Sequence, residues 1–438
     1  MNRAKQASED EKGSVFLVTL GLTLIVIGLV VTILDVASDH RAISVRQVNL
    51  DQAMYVAEAG VEVAARFMQS NLTVMVTSST GATNGSGSVG SGTYNYYIYR
   101  TNTDTYCIVS TGTVSGVSNG SGANHPVSRV VSLLDVYQPT YASFALWSSN
   151  NNAVSFATGD VLYGPVYSYT ELYFDGNPVF YSTLESDAGT YSGSISGATL
   201  TDGLTLNTSE GTMADVNFNT GSLSLKTIAT SSGVEISGTT TITFNGGTVT
   251  IQNSSTNIHY TIPAAGGLIY VANNGTSSGS KSGTIYLEGG TVTGPLTVAS
   301  ESSMYIENNI TYTHNPVTTP TTTDALGLIS QDNIWVGTSA PAALTIDAAM
   351  IAAGTSSGGT GSFGVIDYAT MTPTGTLTVY GGIVQAVRGA VGTANESGGV
   401  GTGYAKNYNY DSRFLTKPPP DYPVISGKIN FSQWQEGH

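Results

Sequence analysis

The stretch GDVLYGPVYSYTELYFDGNPVFY, residues 159–181, decides the fold. Its apolar pairs and triplets, Val161-Leu162, Val166-Tyr167, Leu172-Tyr173-Phe174 and Val179-Phe180, recur about every six residues with Gly, Asn, Asp or Ser at the bends. Strands this short cannot bury a face alone. The spacing predicts about three strands per coil of roughly 20 residues, each coil covering the next. The same grain continues as TITF (241–244), TVTI (248–251), TIYL (284–287), LTV (296–298), MYI (304–306), LTI (344–346) and LTVY (377–380). Residues 139–385 therefore read as a parallel β-helix, a β-solenoid. A β-sandwich also uses many short strands, but its strands run longer and pair through tight hairpins.

Composition points the same way. The chain has 438 residues, 52 of them Gly, and only 10% are charged, where an average soluble domain is about a quarter charged and about 7% Gly. An ordinary helical or α/β enzyme is excluded on that ground. The net charge of −15 leaves no cluster of cations to release counterions from phosphates, so nucleic acid is not an expected partner. Cys107 is the single cysteine, and stability must come from the 40% of residues that are hydrophobic rather than from disulfides.

Outward from the repeats toward the N-terminus, residues 15–34, VFLVTLGLTLIVIGLVVTIL, carry no charge. A helix of about 20 such residues spans about 30 Å, enough to cross a bilayer. Arg3, Lys5 and Lys12 precede it and Arg41 and Arg46 follow it. That balance places the N-terminus on the cytoplasmic side of the membrane and the bulk of the chain outside. A cleaved signal sequence and a buried core helix are the other readings, and residues 34–38 make a poor cleavage site. Met54, Ala57, Val61, Ala64 and Phe67 keep helical spacing, so the helix is expected to run over residues 14–76. Residues 77–93, TSSTGATNGSGSVGSGT, read as a flexible loop. Three runs at 94–100, 105–114 and 127–137 then predict a small antiparallel sheet, so that 77–138 forms one unit with the helix. At the other end, residues 386–438 gather Arg388, Lys406, Arg413, Lys417 and Lys428 around Pro418-Pro419-Pro420. This segment is expected to cap the end of the coil.

Two stretches resemble known families. GSVFLVTLGLTLIVIGLVVTIL (13–34) followed by DQAMYVAEAGVE (51–62) is similar to the N-terminus of PilX-type pilus assembly proteins, whose apolar helix precedes an A-x-x-x-A-E-A-G segment. Ala53, Ala57, Glu58, Ala59 and Gly60 match it residue by residue. The resemblance covers about the first 70 residues. It implies a pilin-like helix and sheet, partners among other pilin-like or pilus assembly proteins, and a prepilin-peptidase junction at Gly13-Ser14, with residues 1–13 as leader. Major pilins carry Glu at the fifth mature position; here it is Val18, which argues against a repeating filament subunit. Further on, DALGLISQDNIWV (324–336), LTIDAAMIAA (344–353), GSFGVIDY (361–368) and GYAKNYNYDSRFLTKPPPDYP (403–423) look like an uncharacterised bacterial domain family that commonly follows such N-termini. That likeness brings no catalytic residue with it.

Chemistry read from the residues is sparse. The histidines, His40, His125, His259, His314 and His438, are isolated, so no zinc site is expected. Asp160, Glu171, Asp175, Glu185 and Asp187 fall near one another and could form a glycosidase pair or bind calcium, the one cofactor left open. Between residues 139 and 385, however, only Lys226 and Lys281 are basic, too few to hold an anionic sugar. No catalytic residue and no enzyme are expected. Tyr163, Tyr167, Tyr169, Tyr173 and Tyr181 cluster within one coil. They read either as a face for a polysaccharide or other surface ligand, or as tyrosines stacked in the coil itself. The expectation is a non-enzymatic, membrane-anchored surface protein acting in pilus assembly or adhesion. The alternative is a membrane-anchored carbohydrate-binding or carbohydrate-active β-helix.

Overall fold

The computed structural model describes residues 2–70, 82–101, 105–115, 126–214, 216–221, 224–275, 281–355, 359–372, 374–395, 400–425 and 427–437, with side chains from residue 15 onward except at 70, 82 and 394. The chain is mainly β, with one long N-terminal apolar helix and a large, mostly parallel sheet. It divides into two compact units, Met1–Tyr137 with Ile429–His438, and Gln138–Lys428.

In the first unit, α1 runs unbroken over Asn2–Ser70. No proline interrupts it, and at 1.5 Å per residue it reaches about 100 Å. Its second half lays Ala53, Ala57, Ala64 and Met68, all fully buried or nearly so, onto an antiparallel sheet. The strands are β1 (Ala82–Val89), β2 (Gly92–Arg100), β3 (Tyr106–Val114) and β4 (Val127–Val136), each paired with the next. β2 alternates buried and exposed along its length, as a half-buried strand must. Its buried Tyr94, Tyr96 and Ile98 meet the helix. A fifth strand, Gln433–Gly437, pairs antiparallel with β4. Tyr137 and Asn430 exchange backbone hydrogen bonds of 2.8 Å just beyond that pair. Residues 138–428 are thus an insertion between two neighbouring strands of one sheet.

Part of the expected Gly/Ser loop is a strand. Residues 77–81 lie outside the described residues, but Ala82–Val89 pairs with β2 throughout. A Cβ at Gly85 would strike the Tyr96 ring and one at Gly87 the Tyr94 ring. The glycines there make room for tyrosines, and their composition imitates a linker.

In the second unit, side-by-side pairing builds long rows. Val234, Ile269, Val298, Leu328, Met350, Ile383, Leu146, Val166, Leu184 and Leu204 stand in parallel register on successive strands. A second row runs through Ile285, Met304, Ile334 and Phe363. A third passes Ile310, Ile346, Val379, Tyr408, Leu162, Phe180 and Leu200. Their inward side chains form one continuous apolar core. The order of the rows is not the order of the chain: the late strands at 375–387 and 400–410 pair with the early ones at 146–150 and 161–163. Both free ends of the first row, Val234 and Leu204, belong to the middle of the sequence.

The C-terminal expectation needs correcting in three respects. Gly375–Val387 and Val400–Tyr410 are strands in the middle of the large sheet, and the last strand belongs to the first unit. The stretch between them, around Phe414, Tyr422 and Ile425, lies along the outer face of the first row rather than over an end. That face carries Trp147, Tyr167, Tyr270, Ile329 and Ile351, which must be covered. Val216 and Phe218, with Leu225 and Ala229 of α2 (Leu225–Ser232), complete the cover. Arg413 fastens the segment by donating to the carbonyls of Thr322 at 2.8 Å and Asp324 at 2.9 Å. The TVTI run joins no parallel row: Thr248–Gln252 and Asn257–Thr261 form an antiparallel hairpin added to the outermost strand.

Candidate functional site

The residues singled out on the helix divide by face. Val18 is 67% exposed within an apolar stretch whose membrane-length window is entirely unburied. Ala53, Ala57 and Gly60 point inward; a Cβ at Gly60 would meet the Ser110 hydroxyl, 3.0 Å from Tyr94. Those small residues serve close packing of the helix on its own sheet. Glu58 and Ala59 are half-buried. Tyr55, 69% exposed, is the large apolar group on the outer side. Gly13 and Ser14 lie within α1, and their side chains are outside the described residues.

The tyrosine cluster does not form one surface. Tyr163 and Tyr169 are exposed and Tyr173 half-buried, but Tyr167 is fully buried against Trp147 and donates to the carbonyl of Gly211 at 2.8 Å. Tyr167 is therefore no surface ligand residue: it faces the covered side of the first row. Tyr163 stacks on Tyr181 with centroids 4.7 Å apart. Each ring covers one face of the other, so at most one face of each is left for a sugar. A comparable row, unnoticed in the sequence, runs through Tyr286, Tyr305 and Trp335 on successive parallel strands, with Tyr286 and Tyr305 stacked at 5.1 Å. Gly364 follows Trp335 in the row and leaves space for the indole.

The carboxylates separate as well. Asp187 accepts from the Thr208 hydroxyl at 2.7 Å and from the backbone N–H groups of Glu210 and Gly211. Burial opposes its charge, but these bonds outweigh it and hold the carboxyl below its usual range. Glu185 is pushed up, by burial and then by Glu210. Among the described residues, no three His, Cys, Asp or Glu side chains come together to hold a metal ion.

The groups with the strongest electrostatic setting come instead from residues 386–413, a run whose basic character reads as a cap. Lys406 pairs with Asp160 at 2.7 Å. Arg388, buried, donates to the Asn151 side chain at 3.0 Å and the Val154 carbonyl at 2.7 Å, and lies 3.7 Å over the Phe156 ring. Burial lowers its pKa to about 10. Arg413 grips Asp411 at 2.9 Å, and nearby Asp347 accepts from the Tyr312 N–H at 2.9 Å.

Burial, reinforced by Asp411, pushes Asp347 up to about 6 against the Tyr312 N–H and Arg413. Folding therefore favours its neutral form. Below about pH 4 both states are protonated; as pH rises toward 6 the unfolded chain releases its proton first and stability falls. A gap of about two pH units caps the loss at about 3 kcal/mol, and partial exposure discounts it to about 1–2 kcal/mol. Asp347→Asn, which can still accept from Tyr312, should gain that much at pH 7.5 and nothing near pH 4. Urea denaturation at the two pH values checks this, and an equal gain at both would contradict it.

Comparison with protein-family models, with curated proteins and with solved structures finds no match to this chain.

Proposed function

We propose that the protein is a non-enzymatic, membrane-anchored surface protein handled by pilus assembly machinery, its helix in the cytoplasmic membrane and its β-rich units outside. The observation that carries this reading is the division of α1. Its second half is packed by a small-residue stripe onto its own sheet, while residues 15–34 are apolar and almost wholly bare. So large an apolar surface requires lipid or other apolar helices around it. The A-x-x-x-A-E-A-G segment supplies the packed half, consistent with a pilin-like unit. Val18 removes the charge a filament subunit would need, which favours a minor or initiating role.

The large sheet is read as a β-solenoid displayed by that anchor. Three rows of inward residues, repeating through parallel pairs over a single core, support the coil. Insertion between adjacent strands lets such a unit be carried without disturbing the helix and sheet that hold it.

Mass spectrometry of the protein purified from its native envelope tests the reading. A mature N-terminus at Ser14 is expected, left by prepilin peptidase. An intact leader beginning at Met1 would remove the pilus machinery from the account and leave an anchored surface protein.

A further inference from the structure

The early and late strands of the second unit meet at a seam, and a cavity of about 410 Å³ opens there. Its walls come from Val154, Ser155 and Ala157 to Asp160 on one side and from Val391 to Thr393, Val400 and Tyr404 to Lys406 on the other, with Asp175 beside them. The volume falls within the range of small-molecule sites. Ala157 and Gly159 line it with little side-chain bulk, and Thr158 and Thr393 add hydroxyls.

The polar floor is asymmetric. The Lys406 ammonium is largely buried and donates to Asp160 at 2.7 Å, and Asp160 also accepts from the Ala157 N–H at 3.0 Å. An ammonium has three donors; among the described residues, Asp160 is the one acceptor placed on Lys406. Behind the floor, Arg388 is enclosed by neutral partners, Asn151, the Val154 carbonyl and the Phe156 ring. Two buried cations thus face one buried carboxylate. Asp175, exposed at the rim, is the remaining charged lining residue. A buried excess of positive charge is costly unless an anion completes it.

We propose that this cavity binds a small carboxylate-bearing ligand of sugar-ring size, a sugar acid, with its carboxylate on Lys406 and its hydroxyls on the threonine walls. The assignment rests on the seam alone and stands whether or not the pilus reading does. It also answers the shortage of cations in residues 139–385, because the cations arrive from the late strands.

Titration calorimetry of the full chain in detergent tests it with three probes: glucuronate, glucose as the neutral ring, and acetate as the bare carboxylate. Glucuronate should bind at least tenfold more tightly than either control. Lys406→Met should weaken it at least tenfold. Ala157→Leu, which fills the cavity and keeps the Lys406–Asp160 pair, should do the same and guards against a folding defect in the first variant. Absence of glucuronate binding, equal binding of glucose or acetate, or unchanged binding in Ala157→Leu would overturn the proposal.

Discussion

Replacing Gly112 with alanine is expected to destabilise the helix–sheet unit by about 3 kcal/mol, a large share of the roughly 5–15 kcal/mol that holds a typical domain together. A Cβ at this position on β3 would overlap the carbonyl oxygen of Ala53 and the N–H of Ala57, and would lie 3.0 Å from Ala57 Cα. All three are backbone atoms of α1, so no side-chain rotation relieves the clash. The helix must lift, and lifting it opens the contacts of Ala53, Ala57, Ala64 and Met68 together. Gly60→Ala offers the contrast, because its new methyl would overlap only the Ser110 hydroxyl, which can rotate away, and would lie 3.0 Å from the Tyr94 Cβ and ring, a contact relieved by a small shift. About 1 kcal/mol is expected there. Hydrogen exchange across residues 106–114 reads the difference: about a hundredfold loss of protection for Gly112→Ala and less than tenfold for Gly60→Ala. Equal losses would show that the close approach of backbone to backbone is not what fixes this interface.

The same contacts explain what the sequence could and could not tell. The membrane-length apolar run and the alternating strands were legible because each is a local pattern: residues 15–34 lack charge, and β2 reads Tyr94, Tyr96, Ile98 on one face. β1 was not legible, because Gly85 and Gly87 are explained only by tyrosine rings on the next strand. Among the candidate site residues, the Tyr163–Tyr181 cluster was visible as composition, but the burial of Tyr167 depends on Gly211, Val216, Phe218 and Leu225, which come back to that face from further along the chain. The short strands of the second unit announced themselves by spacing. Their order did not, since nothing local marks Ile383 as the neighbour of Leu146. For the same reason Arg388 and Lys406 read as parts of a basic tail, when their partners Asn151 and Asp160 lie far up the chain.

That order of strands leads to the other large effect. In a stack wound strictly in sequence, deleting the last strands costs only the last rungs. Here, a chain ending at residue 374 loses the strands that join its two halves. Residues 146–206 then retain no parallel neighbour among residues 234–352, because Leu146 pairs with Ile383 and Leu162 with Tyr408. The remaining strands up to residue 352 keep their mutual pairs. Hydrogen exchange should therefore show protection collapsing over 146–206 and persisting over 285–330, with a boundary far from the truncation. Deletion also removes the cover around Phe414 and Tyr422, so a point variant must separate cover from seam. Ile383→Asp does so: it leaves the covering segment in place and sets an unpaired carboxylate between Met350 and Leu146 in the apolar row, at a cost of several kcal/mol. It should reproduce the loss over 146–206. Preserved protection there in both chains would mean that the early strands stand on their own core, and the seam would then be a contact between two stable halves rather than the join that makes them one.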